Sequence, residues 1–312
     1  MATLNFAEVW QSRVREVLTS ADHAPWLAGI PELDTQVLEV GIGSASESNV
    51  IHVPTTAFKP DVLINNTTYP MLVQAYTDSE AQIQLDKYQT KATTITDDQI
   101  IGASYARIDA ATRSHVTAIL QKKYGKAIHA ICPSGNTSAT PIVKTTGAGI
   151  ATGVGQRMRL KYDDLVALKD AMDKQDVPAS GRRLVLCTEH WNDLLLDRAN
   201  FGNLLIDYNQ GTMAPVVAGF ELYSYINNPL ITVSSLAKKT YGAAKAISDE
   251  YASVAFYADN IAKKTGMTKQ YFAPSENDPL NQSNMINYRH YFIAIPMESK
   301  YIGAIVSDET TT

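Results

Sequence analysis

Apolar residues recur at helical spacing in residues 3–20, where Phe6, Val9, Trp10, Val14, Val17 and Leu18 are interleaved with Glu8, Arg13, Arg15 and Glu16. The spacing predicts a short amphipathic helix. Pro25, Gly29 and Pro31 forbid its continuation. The helix therefore hangs on an irregular connection, placed to dock on its own subunit or on another. From Thr35 to Ile95 the pattern becomes that of strands. Val37, Leu38 and Val40 precede the small polar run GIGSASESN, and then come VIHVPTTAF and the Thr-rich, alternating IQLDKYQTKATTI. Between those two runs lies FKPDVLINNTTYPMLVQAYTDSE, too long for a tight hairpin turn. It is predicted to be a projecting two-stranded excursion. Its apolar residues, Val62, Leu63, Ile64 and Tyr69 among them, need a partner surface.

A long helix follows. Thr96-Asp97-Asp98-Gln99 has the form of a capping box with two acids in the first turn. Ile101, Tyr105, Ile108, Thr112, Val116, Ile119 and Leu120 keep one face apolar, and Ala127, Ile128 and Ile131 continue it until Pro133. A helix over residues 97–131 would be roughly 50 Å long, with Gly125 as the expected point where it bends or is interrupted. Past the flexible runs PSGNTSATP and TTGAGIATGVG, the pattern gives a helix over Tyr162–Lys174, a turn at Pro178–Gly181 and a strand over Arg183–Cys187. A second helix covers Thr188–Arg198, with Thr188 as its cap. VVAGFELYSY reads as a strand broken at Gly219, and Asn228-Pro229 as a turn. These elements form an α/β unit of about a hundred residues, read as a domain inserted into the first. SVAFYADNIA, MINYRHYFIAIP and KYIGAIVSD return to strand character around the polar loop APSENDPLNQSN.

Composition narrows the classes. The chain has 312 residues, 45% hydrophobic and 19% charged, with a net charge of 27 − 32 = −5. That is ample for a buried core and argues against wholesale disorder. A pI near 5.7 lacks the footprint of a sequence-reading nucleic-acid binder. No apolar run is long enough to span a membrane, and no basic segment followed by an apolar core resembles a secretory signal, so a cytoplasmic site of synthesis is expected. Cys132 and Cys187 sit in apolar stretches and are expected to be reduced and buried.

Candidate chemistry is thin. VLEVGIGSAS resembles the first motif of S-adenosylmethionine-dependent methyltransferases, but Ala45 replaces the third glycine and the β-prone ESNVIHVPTTAF stands where a helix is required. A glycine turn between two strands is the preferred reading. The six histidines form no H-x-H or H-x-x-x-H pair, and no C-x-x-C exists, so no metal site is expected. Structural roles are expected for His115 and His129 on the long helix. Glu189 and His190 are neighbours that a helix points in different directions, and surface and capping roles are expected. Asp97 and Asp98 suit the helix dipole. Lys122, Lys123 and Lys126 read as a solvated basic stripe near the helix end. No catalytic, cofactor-binding or metal-binding constellation emerges.

The order of these segments resembles the tailed-bacteriophage major capsid proteins of the Hong Kong 97 (Johnson) fold. The resemblance rests on VLINNTTYPM and IQLDKYQTKATTITDDQ in an E-loop-like excursion, the long spine-like helix, and YDDLVALKDAMDKQDVPASGRRLVLCTEHWNDLLL followed by VVAGFELYSYINNP. The closing β-rich run contains YIGAIVS. It implies an α+β fold with an N-terminal arm (1–36), E-loop and peripheral strands (37–95), spine helix (96–133), axial domain (134–245) and a peripheral return (246–312). It further implies a non-enzymatic shell protein of a virion, assembled in the host bacterial cytoplasm into pentamers and hexamers around double-stranded DNA, without cofactor or metal. The interface residues implied on the arm and E-loop are Phe6, Trp10, Phe58, Lys59, Val62, Leu63, Ile64 and Tyr69. Expected partners are other copies, a portal protein, a separate scaffolding protein, a decoration protein, and DNA held without sequence-specific contact; no membrane is involved. An encapsulin-like nanocompartment shell is the alternative on the same fold, and a methyltransferase the remote one.

Overall fold

A computed structural model describes residues 24–40, 48–55, 79–96, 104–152, 155–197, 206–207, 212–213, 216–277, 280 and 283–311. Strands β1 (Val37–Val40), β2 (Ser48–Thr55), β3 (Ser79–Gln84), β4 (Asp86–Gln89) and β5 (Thr93–Thr96) precede helix α1 (Ser104–Ile131). Next come β6 (Ile142–Lys144), β7 (Gly149–Ala151), β8 (Gly155–Met158), α2 (Tyr162–Asp173), β9 (Arg182–Leu186) and α3 (Thr188–Leu196). Short strands β10 (Ile206–Asp207), β11 (Thr212–Met213) and β12 (Val216–Val217) lead to β13 (Phe220–Ser224), β14 (Leu230–Thr232) and β15 (Ala237–Lys238). The chain closes with β16 (Asp249–Tyr257), β17 (Ile261–Ala273), β18 (Ser283–Pro296), β19 (Ile302–Val306) and β20 (Glu309–Thr311).

Two sheets carry the architecture. An eight-stranded sheet runs β12-β13-β9-β16-β14-β15, with β19 beside β16 and β6 beside β19. Its β13–β9 and β19–β6 pairs are parallel. Side chains alternate faces along each strand. Val185, Val254, Phe256, Ala304 and Val306 accordingly enter one core with α1, while Leu184, Leu186, Ala255 and Ile305 enter a second core with Leu165, Leu168 and Met172 of α2. Sheets buried on both sides read as apolar runs, which is why RRLVLC and SVAFY lack alternation. The second sheet is built on the hairpin β17–β18, with β4 and β5 pairing the far edge of β18. Helix α1 packs on β18, and its residues Val116, Leu120, Ala127 and Ile131 share one core with Ile286, Tyr288 and Phe292.

Several expectations are revised. Thr96 ends β5, where it pairs with Ser283, and the expected helix start at residues 97–103 lies outside the described residues. Helix α1 runs unbroken through Gly125. The N-cap of α3 is Cys187, and Thr188 is already helical. The eight-stranded sheet does not end at residue 245. β16 pairs with β9, and β19 pairs with β16 and β6, so residues 249–257 and 302–306 are strands of the same sheet as residues 182–186. The break expected at Gly219 is present, with a φ of 81° that favours glycine.

Candidate assembly surfaces

All eight residues predicted to form subunit contacts, Phe6, Trp10, Phe58, Lys59, Val62, Leu63, Ile64 and Tyr69, lie outside the described residues. What is described is how the segments that carry them are rooted. The excursion begins and ends on a ladder in which β2 pairs antiparallel with β3, from Val50↔Gln84 to Thr55↔Ser79. β1 pairs antiparallel with β2. The GIGSASESN run therefore joins two strands, and the strand-to-helix context of a methyltransferase motif is absent.

The foot of this ladder is seated on the hairpin sheet. Ile51 and Leu85 are buried with Tyr291 and Ile293, and the Leu85 amide donates to the Asn49 carbonyl at 2.8 Å. The register of β17 against β18 shifts between Thr265 and Thr268, and Gly266 falls in that bulge. A Cβ at position 266 would lie 2.7 Å from Asn49 Nδ2 and 2.8 Å from Tyr291 Cβ. Only glycine lets the stem approach this closely.

The arm is rooted as firmly. Trp26 is fully buried, edge-on to Tyr225 and Phe256 with ring centroids at 5.8 and 6.3 Å. Arg183, on β9, donates to the carbonyls of Trp26 (2.9 Å) and Ala28 (2.7 Å) and lies 3.2 Å from Glu221. From β17, Lys263 and Lys264 reach the carbonyls of Leu27 (3.2 Å) and Leu33 (2.7 Å), and Thr265 Oγ1 donates to Glu32 at 2.6 Å. One short segment is thus bonded to both sheets.

The C-terminal end of α1 is held by β15 and the turn after it. Lys238 Nζ donates to the carbonyls of His129 (2.8 Å) and Cys132 (2.6 Å), satisfying acceptors that the helix leaves open. His129 Nε2 is 2.7 Å from the Lys239 carbonyl. Both cysteines are free and buried, and burial raises their pKa to about 12 for Cys132 and about 11 for Cys187, which keeps the thiols protonated.

Burial overturns two surface assignments. His190 is completely enclosed, with Nδ1 2.7 Å from Ser253 Oγ and Nε2 2.9 Å from Ser307 Oγ. Burial, with Arg157 nearby, pushes its pKa down to about 3, so the ring is neutral. Ser253 Oγ also accepts the Cys187 amide at 3.0 Å. Arg157 continues the network, donating to Ser307 Oγ (3.0 Å) and in fork geometry to Asp193 at 2.8 and 2.9 Å. Asp193 also accepts the Leu160 amide at 3.1 Å. A serine and a histidine within hydrogen-bond reach would suggest a nucleophile and its base, but no solvent reaches this pair. The network ties α3 and β8 to the sheet.

The expected basic stripe is likewise divided. Lys126 pairs with Asp86 at 2.8 Å, whereas Lys123 is buried, with Nζ 4.2 Å from the centroid of Phe292 and 5.1 Å from that of Tyr124. Burial lowers the Lys123 pKa to about 7, against the opposing effect of Glu32 and with a further push from Lys263. An unfolded lysine keeps its proton to a pH near ~10.4. Between pH 7 and that value the unfolded chain binds the extra proton, so this residue makes stability rise with pH. Lys123→Met should remove that rise and raise stability at pH 7 by about 3 kcal/mol. Urea unfolding of both proteins at pH 7 and pH 9.5 checks this, and equal pH slopes would contradict it.

Exposed apolar side chains mark surfaces that the sequence reading missed. Leu280, in the turn of the β17–β18 hairpin, is 92% exposed, and Ile226 and Ile247 on loops of the eight-stranded sheet are 78% and 65% exposed. Leu280 stands alone in a polar run, and that isolation was the available signal. Among the described residues, no group of His, Cys, Asp or Glu is arranged to hold a metal ion.

This architecture, an eight-stranded sheet and a hairpin sheet that share a core with one long helix, beside the three-stranded sheet β1-β2-β3, matches known proteins. The family model described as phage capsid protein matches residues 79–307. The chain belongs to the phage capsid protein family. No curated protein matches its sequence. Among solved structures, one from Mycobacterium phage Che8 is similar at 15% identity and a TM-score of 0.53, over 88% of this chain and 93% of that one. The capsid of the cyanophage P-SCSP1u gives 14% identity and a TM-score of 0.55, over 82% and 83%. A virus-like particle from Pyrococcus furiosus gives 9% and 0.52, over 97% and 100%. At these identities the likeness is one of fold, the Hong Kong 97-like capsid fold. The protein is a major capsid protein, a structural component of the virion.

Proposed function

We propose that the chain assembles into pentamers and hexamers of an icosahedral head that encloses double-stranded DNA, and that it has no enzymatic role. The observation that carries this reading is the capsid-family match across residues 79–307, which includes both sheets and α1. In this reading the eight-stranded sheet with α2 and α3 is the axial domain, and the hairpin sheet with α1 is the peripheral domain. The arm and the excursion between β2 and β3 cover neighbouring copies, through Phe6, Trp10, Phe58, Lys59, Val62, Leu63, Ile64 and Tyr69. Their roots are packed and hydrogen-bonded onto the sheets, through Ile51 and Leu85 for the excursion and through Arg183 and Lys264 for the arm. A portal protein, a separate scaffolding protein and a decoration protein complete the head, which is built in the host cytoplasm.

Large apolar residues on a projecting segment favour association, because burying them against a neighbour removes them from water. Replacing Leu63 and Ile64 by Asp should leave the thermal melt of the subunit unchanged and abolish closed particles in electron micrographs. Particles of unchanged number and size would remove the excursion from the interface.

A further inference from the structure

The turn between β13 and β14 buries the wrong residue for a free subunit. Ile226 is 78% exposed, while Asn228, two residues on, is 5% exposed, and neither atom of its side-chain amide has a hydrogen-bond partner among the described residues. Isoleucine is normally enclosed and asparagine normally solvated. An unpaired buried amide also weakens the fold, because it has given up its bonds to water without replacing them. A single enclosed water would pair with the amide, but it would leave Ile226 in solvent. Local conflict of this kind marks a segment fitted to something besides its own subunit.

Both residues line a recess of about 270 Å³ between this turn, α1 and the loop after β15. That volume is below the roughly 300–1,000 Å³ of small-molecule sites, and it suits one side chain with the peptide group beside it. Tyr241, also in the lining, keeps its ring 40% exposed and adds apolar surface next to Ile226. The Asn228 amide offers a donor and an acceptor side by side, which match the C=O and N–H of an extended chain. Among the described lining residues Lys122 carries the charge, since burial lowers the pKa of His129 and keeps its ring neutral. A segment of a chain with net charge −5 meets that lysine without repulsion.

The position of the recess selects another copy of the chain as the occupant. Trp26, at the root of the arm, packs edge-on against Tyr225 at 5.8 Å, and Tyr225 is the residue before Ile226. In the assembly proposed above the arm crosses to a neighbour, so that neighbour abuts this turn. We propose that the recess receives an extended segment of the neighbouring copy, whose apolar side chain packs on Ile226 and whose peptide group pairs with the Asn228 amide. The proposal rests on the reading of the chain as a shell subunit, and it adds a receiving surface on the subunit body to the arm and the excursion. A contact in which one surface meets a different surface of the next copy is the kind that closes into rings.

Sedimentation velocity of the full chain over a range of protein concentrations tests it. Ile226→Asp should leave the melt of the free subunit unchanged and raise the concentration needed for assembly about tenfold or more, the factor for one isoleucine left unburied. Asn228→Leu separates docking from a structural role. It should keep or raise the melt, because it removes an unpaired buried amide, and still raise that concentration about fivefold. Ile226→p-benzoylphenylalanine should crosslink under light to a second copy within assembled particles. A lower melt for Asn228→Leu, unchanged assembly by either variant, or crosslinking to a different protein alone would each overturn the proposal, and unchanged assembly with an unchanged melt would assign the amide to an enclosed water only. Those results leave the shell reading standing, whereas a wild-type chain that forms neither rings nor shells overturns both.

Discussion

Asp193→Ala should lower the free energy of unfolding by about 3–5 kcal/mol, because it strands the Arg157 guanidinium inside the protein. The two groups meet through paired hydrogen bonds of 2.8 and 2.9 Å, and both side chains are nearly inaccessible. Ser307 and the Glu189 carboxylate, 3.9 Å from the Arg157 Nε, do not replace the paired hydrogen bonds of Asp193, and the Leu160 amide loses its acceptor as well. The double variant Arg157→Met/Asp193→Leu should recover part of the loss, since an apolar pair removes the buried charge together with its partner. Urea unfolding curves measure both effects. If Asp193→Ala unfolds within about 1 kcal/mol of the wild type, the network is not an anchor.

Trp26→Ala should cost a similar amount, about 3–5 kcal/mol, and should also free the root of the arm. The indole fills the core between Tyr225 and Phe256, and its removal leaves a cavity that the surrounding strands cannot close. Arg183, Lys263, Lys264 and Thr265 would then hold the segment by hydrogen bonds, with only smaller side chains, Leu27 and Ile30 among them, left in the core. Limited proteolysis should cut residues 24–33 of the variant faster than those of the wild type. An unchanged melt with unchanged protection would show that the arm is fixed by some other means.

Helical and strand periods were legible where a single face is buried. Val116, Leu120, Ala127 and Ile131 spell out the stripe of α1 that enters the core. The same stripe passes through position 123, so the burial of Lys123 had a signal in its spacing, hidden because its neighbours Lys122 and Lys126 suggested a solvated face. His190 carried no such signal. Its partners Ser253 and Ser307 stand 63 and 117 residues away, and nothing in the run TEHWND indicates that two distant strands supply its hydrogen bonds. Sheet membership was equally hidden. The period of β16 and β19 reports that they are strands with both faces buried, but pairing with β9 is fixed by tertiary contacts. That α1 is not interrupted at Gly125 has a related reason: glycine weakens a helix by only about 1 kcal/mol, and α1 is held on both sides of it by the shared core and, at its end, by Lys238.

The rooted arm and stem acquire their purpose only if neighbouring copies receive the segments they carry. Electron cryo-microscopy of the purified wild-type chain, at the concentration used for assembly and with scaffold supplied in a parallel sample, tests this most directly. The account predicts rings of five and six subunits and closed icosahedral shells, with the eight-stranded sheet around each ring axis and the segment between β2 and β3 lying on an adjacent copy. A chain that remains monomeric in both samples would contradict it.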